Sequence, residues 1–443
     1  MKKRYAIVGT GGRSEMYWDA LSTQYRETGE VVALCDRNLG RLHMRGAELQ
    51  ARGVTVAEYL DSDFDRMIAE CRPDCVIVTT QDSAHDVYIC RAMELGCDVI
   101  TEKPMTIDAQ RCQQILDTQR RTGRQCRVTF NYRYSPHRTQ VKDLLMSGVI
   151  GEIIAVDFHW VLNTIHGADY FRRWHRNKAN SGGLLVHKAT HHFDLVNWWL
   201  SAVPTTVYAY GDRRFYTPQT ADRLGLAQRT ERCLTCPELQ EGHCAFALDL
   251  QAYPPLAELY QAHEQYDGYY RDRCVFSDVI DIEDTMHLAV QYDTGVAMSY
   301  SLQAFAPWEG YTIAFTGTKG RLEHKCEESV YLNGDGTVPG ALQAEGTWTR
   351  IYPQDAPAYQ VDIWQSEGGH GGGDALLLAD LFSPTPAPDP YRRTANYVAG
   401  AYSILTGIAA NQSIASGQPV QIDSLLTGIG YPDYTAMPMS VAP

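Results

Sequence analysis

No stretch of this 443-residue chain approaches the ~18 consecutive apolar residues that a membrane span requires. The apolar run after Met1-Lys2-Lys3-Arg4 stops at glycines after Val8, too short for the core of a secretion signal. Positive charge is also scarce: Lys plus Arg number 39 against 53 Asp plus Glu, for a formal charge of −14. Nucleic-acid partners need clustered cations on their phosphates, so they are not expected. Cysteine is thin for a secreted disulfide scaffold, with 12 spread over the whole chain. Eight of them (Cys35, Cys71, Cys75, Cys90, Cys97, Cys112, Cys126 and Cys326) sit in apolar segments and read as small buried hydrophobes. A soluble, cytoplasmic protein is the expectation. With 44% apolar and 21% charged residues it can bury a sizeable core, and its length suits two domains.

The first 130 residues alternate strand and helix signals. Strands are expected at 4–8, 31–35, 75–80, 97–101 and 126–130, and helices at 14–26, 84–95 and 107–121, the last closed by Gly123. Near-continuous apolar strands separated by helices predict a parallel sheet covered on both faces. After residue 150 the rhythm changes to strand-like segments at 152–161, 286–292, 296–302 and 311–316, with a turn signal at Asp293-Thr294-Gly295. That predicts an antiparallel sheet, with helices at 192–200, 375–382 and 393–415. The division is 1–128 and 129–443, and the second part carries a polar, Tyr- and Arg-rich insertion at about 212–278.

Gly9-Thr10-Gly11-Gly12-Arg13-Ser14 directly follows the first strand and opens a helix. The first glycine permits the turn, the second lets backbone amides approach a pyrophosphate, and the small Ser14 lets helix and strand pack closely. The helix N-terminus adds partial positive charge for the phosphates. Asp36 ends the second strand about 20 residues further on, where a carboxylate accepts the ribose hydroxyls of NAD and repels a 2′-phosphate. Arg37 follows it, which leaves some tolerance for NADP. NAD is the expected cofactor.

Thr79-Thr80-Gln81-Asp82-Ser83-Ala84-His85 after one strand, and Glu102-Lys103-Pro104 after the next, resemble the Gfo/Idh/MocA family of sugar and cyclitol oxidoreductases. Asn131-Tyr132-Arg133-Tyr134-Ser135-Pro136, Gly182-Gly183-Leu184-Leu185 and Thr316-Gly317-Thr318-Lys319-Gly320 strengthen the match. The resemblance implies an N-terminal Rossmann domain and a C-terminal α/β domain with a large open antiparallel sheet. That sheet implies a homodimer or homotetramer. It places Thr80, His85, Glu102 and Lys103 beside the cofactor and implies that Lys103 contacts the substrate hydroxyl. A lysine at the C-terminal end of a parallel strand is where such folds place ligands.

His187-Lys188-Ala189-Thr190-His191-His192-Phe193-Asp194 resembles the family's Asp, three residues, His, two residues, Asp pattern, with His187 replacing the first Asp and Lys188 an apolar residue. His191 then matches the acid/base histidine. On one continuous helix, 187, 188, 191 and 192 would share a face, too polar for a core. Histidine titrates near neutral pH and suits proton transfer. His187 and His191 also have metal-ligand spacing, although no glutamate lies between them. Tyr132, Arg133, Tyr170, Arg173, Trp174 and His175 suit a sugar pocket, with Lys188 and His192; the aromatics outside the family motif read equally well as surface residues. His370, inside a run of glycines at 368–373, either reaches the pocket or lies in an ordinary loop before a helix.

Cys233, Cys236, Cys244 and Cys274 all fall in the insertion. Their spacing suits a structural tetrathiolate zinc site remote from the chemistry. An iron–sulfur cluster and free thiols are the alternatives. The favoured function is NAD-dependent hydride transfer at a secondary hydroxyl or ketone of a sugar, glycoside or cyclitol, with Lys103 and His191 moving the proton and His187 tuning it. One alternative is an NAD-dependent glycosidase, working by transient oxidation, elimination, hydration and re-reduction. A non-enzymatic sugar- or nucleotide-sensing scaffold is the other.

Overall fold

The computed structural model describes residues 2–330, 338–365 and 367–438. Six strands form the first sheet: β1 (Lys3–Val8), β2 (Gly29–Asp36), β3 (Ala57–Leu60), β4 (Cys75–Val78), β5 (Asp98–Thr101) and β6 (Cys126–Val128). Their order is β3-β2-β1-β4-β5-β6, and every pairing is parallel. The apolar ends of β1 and all of β4 are buried because helices cover both faces. Those helices are α1 (Glu15–Ser22), α2 (Leu39–Ala51), α3 (Phe64–Cys71), α4 (His85–Glu94) and α5 (Ala109–Thr122). Asn38 caps α2 by accepting from the Arg41 amide, and Asp108 does the same for α5 through Arg111. The strand order reverses between β1 and β4. Ligand crevices of doubly wound sheets open there, at the carboxyl ends of the strands.

The second sheet has nine strands in the order β14-β13-β12-β11-β7-β10-β9-β8-β15. They are β7 (Ile153–Asn163), β8 (Pro204–Asp212), β9 (Thr285–Tyr292), β10 (Ala297–Ala306), β11 (Glu309–Gly317), β12 (Gly320–Glu328), β13 (Trp348–Pro353), β14 (Tyr359–Val361) and β15 (Val420–Gln421). The expected antiparallel sheet is largely present, with one departure: β7 and β10 run parallel. Hairpins impose antiparallel pairing on β9–β10 and β11–β12, whereas β7 and β10 are joined by a long excursion that leaves direction free. That excursion holds the insertion, which is anchored at its base. The Asp284 carboxylate accepts from the backbone amides of Arg214, Phe215 and Tyr216 at 2.7–3.0 Å.

A helix over Tyr397–Ser416, buried on nearly every side, runs between the two sheets. The Val128 amide donates to the Ala395 carbonyl just ahead of it. At Gly407 a Cβ would stand 2.1 Å from the Leu185 carbonyl oxygen, so glycine lets this helix press against the short helix Leu184–His187. The run expected to be one helical face is broken there. A second helix, Thr190–Leu200, starts after Lys188 and Ala189, and neighbouring side chains diverge.

Candidate active site

The site begins with the turn after β1. Gly9 has φ +91°, and a Cβ on it would lie 2.7 Å from the Thr79 carbonyl carbon and oxygen, so β1 and β4 meet there with no room for a side chain. Thr10 donates from its amide (2.6 Å) and hydroxyl (2.7 Å) to Asp36 Oδ2, and the Asn38 amide donates to Oδ1 (2.8 Å). Those bonds fix the carboxylate at the end of β2. Gly9, Gly11, Gly12, Arg13, Asp36, Arg37, Thr80, His85 and Glu102 line a cleft with a cavity volume of about 370 Å³. Ser14 does not; its hydroxyl donates to the Gly11 carbonyl inside the turn, leaving it a packing role. Arg13 Nε and the Tyr17 hydroxyl both donate to Glu102 Oε1 at 2.6 Å. Burial pushes the Glu102 carboxyl up, but Arg13 and the Tyr17 bond outweigh it and hold it below the usual range.

At the other end of the cleft lie Lys103, Tyr132, Tyr170, Arg173, Trp174, His175, His187, Lys188, His191 and His370. Lys103 Nζ stands 3.5 Å from the His187 carbonyl oxygen. Burial depresses its amine to about 8, against the opposing pull of Asp82 and Glu102. The His191 ring stacks on Tyr132 at 4.2 Å between centroids, and its Nδ1 has no hydrogen-bond partner. Burial, with Lys103 and Lys188 nearby, keeps this imidazole neutral far below its ordinary pKa. His187 Nδ1 is 2.5 Å from Asp82 Oδ2. Burial raises the Asp82 carboxyl and lowers His187, and Lys103 and Arg173 lower it further. His175 lies 4.1 Å from His187 between centroids and is held neutral by the same burial. Lys188 Nζ donates to the Tyr132 hydroxyl at 3.2 Å.

Two expected pocket residues are elsewhere. Arg133, only 1% exposed, makes a two-pronged ion pair with Asp194 (2.7 and 2.5 Å), which fixes the helix Thr190–Leu200 from behind. His192 points into the core. It stacks on Trp160 at 3.8 Å and lies 2.7 Å from the Tyr300 hydroxyl, because consecutive residues of the helix Thr190–Leu200 point about 100° apart and His191 takes the cleft side. The expected zinc site is not borne out either. Cys233, Cys236, Cys244 and Cys274 line one small apolar cavity of about 20 Å³, yet among the described residues no group of three or more His, Cys, Asp or Glu could hold a metal ion. His187 and His191 likewise fall in no such group among the described residues. Burial pushes the Cys233, Cys244 and Cys274 thiols up, the last to about 11. Ion pairs hold the insertion instead: Arg232 joins Glu264 and Asp272, and Arg271 joins Asp169.

Asp82 stood inside a sequence motif without a role. His166, Tyr260, Asp267 and Tyr269 also line the cleft, and the last three come from the insertion. Nothing in the insertion's periodicity pointed to the cleft.

The turn and Asp36 fit a dinucleotide: Gly9 packs the turn against Thr79 with no room for a side chain, Gly11 and Gly12 line the cleft beside it, and the acid stands at the end of β2 where the ribose is held. Residues 3–130 match the model for the oxidoreductase family, NAD-binding Rossmann fold, and residues 142–422 match that for the same family's C-terminal alpha/beta domain. The chain belongs to the Gfo/Idh/MocA oxidoreductase family. YteT of Bacillus subtilis (strain 168), named as an oxidoreductase, is 38% identical over 434 residues, covering 96% of this chain and 98% of that protein. An inositol 2-dehydrogenase/D-chiro-inositol 3-dehydrogenase of Lactiplantibacillus plantarum is 25% identical over 214 residues, covering 48% of this chain and 55% of its own. Among solved structures, the WlbA dehydrogenase of Bordetella pertussis in complex with NADH and UDP-GlcNAcA superposes with a TM-score of 0.62 at 18% identity, covering 95% and 99% of the two chains. The family member described here is therefore an NAD-binding oxidoreductase. Among its described residues no helix is long and apolar enough to cross a membrane.

Proposed function

We propose that the protein oxidises or reduces a secondary hydroxyl or ketone of a sugar, glycoside or cyclitol, with NAD as hydride carrier. The observation that carries this is a buried amine and a neutral imidazole, Lys103 and His191, sharing one end of a cleft whose other end is a dinucleotide turn. Gly9, Gly11, Gly12 and Asp36 would hold the cofactor, which when bound supplies the hydride acceptor at the carbinol carbon. Lys103, depressed to about 8, accepts the hydroxyl proton as the carbon is oxidised. His191, held flat against Tyr132, relays it, and its bare Nδ1 leaves the ring free to choose its tautomer. Asp82 holds His187 through Nδ1, so His187 meets the substrate as a neutral, oriented ring. Trp174 and Tyr170 offer aromatic faces to sugar C–H surfaces, and Arg173 and Lys188 offer donors to hydroxyls. Relatives named as inositol dehydrogenases agree with this substrate class.

The cluster of neutral imidazoles, His175, His187 and His191, also favours a redox-neutral glycosidase, whose elimination and hydration steps need extra proton carriers. Assembly into a homodimer or homotetramer would use the half-exposed outer face of β9 and β10. Purified protein with NAD is to be tested against monosaccharides, inositols and aryl glycosides, reading NADH and aglycone together. Net NADH formation supports the dehydrogenase, whereas aglycone release without it supports the glycosidase. Neither product with any substrate, or full activity in Lys103→Ala and His191→Ala, overturns the assignment.

A further inference from the structure

The insertion does more than decorate the second sheet; part of it lies on the adenosine end of the cofactor cleft. A Cβ on Gly40, in the first turn of α2, would lie 2.2 Å from His263 Nδ1, so the absence of a side chain there admits the insertion. Asn38, which caps α2, donates from Nδ2 to the His263 carbonyl at 3.0 Å. The Gly12 amide of the phosphate turn donates to the Tyr260 hydroxyl at 3.1 Å. Beside these contacts, Arg41 Nη2 lies 2.5 Å from Asp267 Oδ2 and 3.8 Å from Asp36 Oδ1. Both side chains of the Arg41–Asp267 pair are more than nine-tenths buried, and both line the cleft. Arg41 Nε and Nη1 have no protein partner, so this guanidinium has donors to spare one turn from the ribose-binding carboxylate.

An arginine so placed is what an NADP site uses to hold a 2′-phosphate. Here its charge is already taken. We propose that Asp267, carried in by the insertion, is a cofactor-specificity residue: by pairing with Arg41 it denies a 2′-phosphate its cation and leaves Asp36 to discriminate at the ribose. Asp36 then keeps its negative charge where NADP would add more, because the charge of Arg41 is already balanced by Asp267. The preference for NAD is thereby divided between the Rossmann strand β2 and a segment more than 200 residues away. Burial makes the pair costly to break and keeps solvent ions from screening it.

This rests on the dinucleotide reading of the cleft, and the experiment separates the two. NADH and NADPH are titrated into the full-length protein, wild type and Asp267→Asn, with binding followed by nicotinamide fluorescence and no turnover required. The wild type is expected to bind NADH at least about tenfold more tightly than NADPH, the scale of one charge-assisted hydrogen bond. Asp267→Asn keeps the shape, frees Arg41, and is expected to reduce that preference by about tenfold. Arg41→Ala added to Asp267→Asn removes the gain in NADPH binding. A wild type that binds both nucleotides equally overturns the proposal without any variant, as does a preference unchanged in Asp267→Asn or a gain that survives loss of Arg41. A wild type that binds neither nucleotide overturns the dinucleotide reading itself.

Discussion

Lys103 titrates at about 8 in the folded protein, against 10.5 for an ordinary lysine, because burial at the cleft penalises its charged form. That difference corresponds to roughly 3 kcal/mol against the ammonium. At pH 7 about one molecule in ten then carries a neutral amine, where an unperturbed lysine would offer about one in three thousand. The neutral amine is the form that accepts the hydroxyl proton. The rate of alcohol oxidation should therefore climb as pH rises through about 8 and level off above it. Substrate identity need not be known to test the shift. Lysines can be dimethylated with a ¹³C-labelled reagent and titrated by NMR, with the Lys103 signal assigned by its loss in Lys103→Arg. A midpoint near 8 is expected. Lys103→Met should also lower kcat/KM by roughly 100-fold or more and abolish the rise through pH 8. A Lys103 signal that titrates with the surface lysines, or an unaltered pH profile in Lys103→Met, would refute the reasoning.

Asp82→Asn removes a negative charge that now favours the Lys103 ammonium and leaves His187 a neutral amide in place of the carboxylate. The Lys103 midpoint should move below the wild-type value, and kcat should fall by about tenfold or more, with NADH affinity retained; an upward shift would contradict the electrostatics. Arg133→Ala should act on stability, since it leaves Asp194 buried without its partner. A loss of about 3–5 kcal/mol in urea unfolding is expected, and a variant with native stability but weakened sugar binding would return Arg133 to the pocket.

Local rules made the first sheet legible. Apolar strands, cap residues and Gly123 are set by neighbours in the chain, and the glycine turn with Asp36 declares its chemistry at fixed spacing. A motif at the carboxyl end of β5 named Lys103, where parallel strands gather ligands, whereas His191 was named only by the family resemblance of residues 187–194 and sits on the helix Thr190–Leu200. Three things needed the tertiary structure. The break after Lys188, beside the place where Tyr397–Ser416 brings Gly407 against Leu185, separates His187, held by Asp82, from the helix that carries His191 to the cleft and His192 to Trp160. Arg133 looked like a ligand donor because type and motif do not reveal which way a side chain faces; its partner, Asp194, lies 61 residues on. The insertion has weak periodicity of its own, so nothing local could say that Asp267 would cross 226 residues to meet Arg41. Chain order carries turns, caps and strand ends, whereas pairings between buried charges follow from packing, which sequence spacing does not encode.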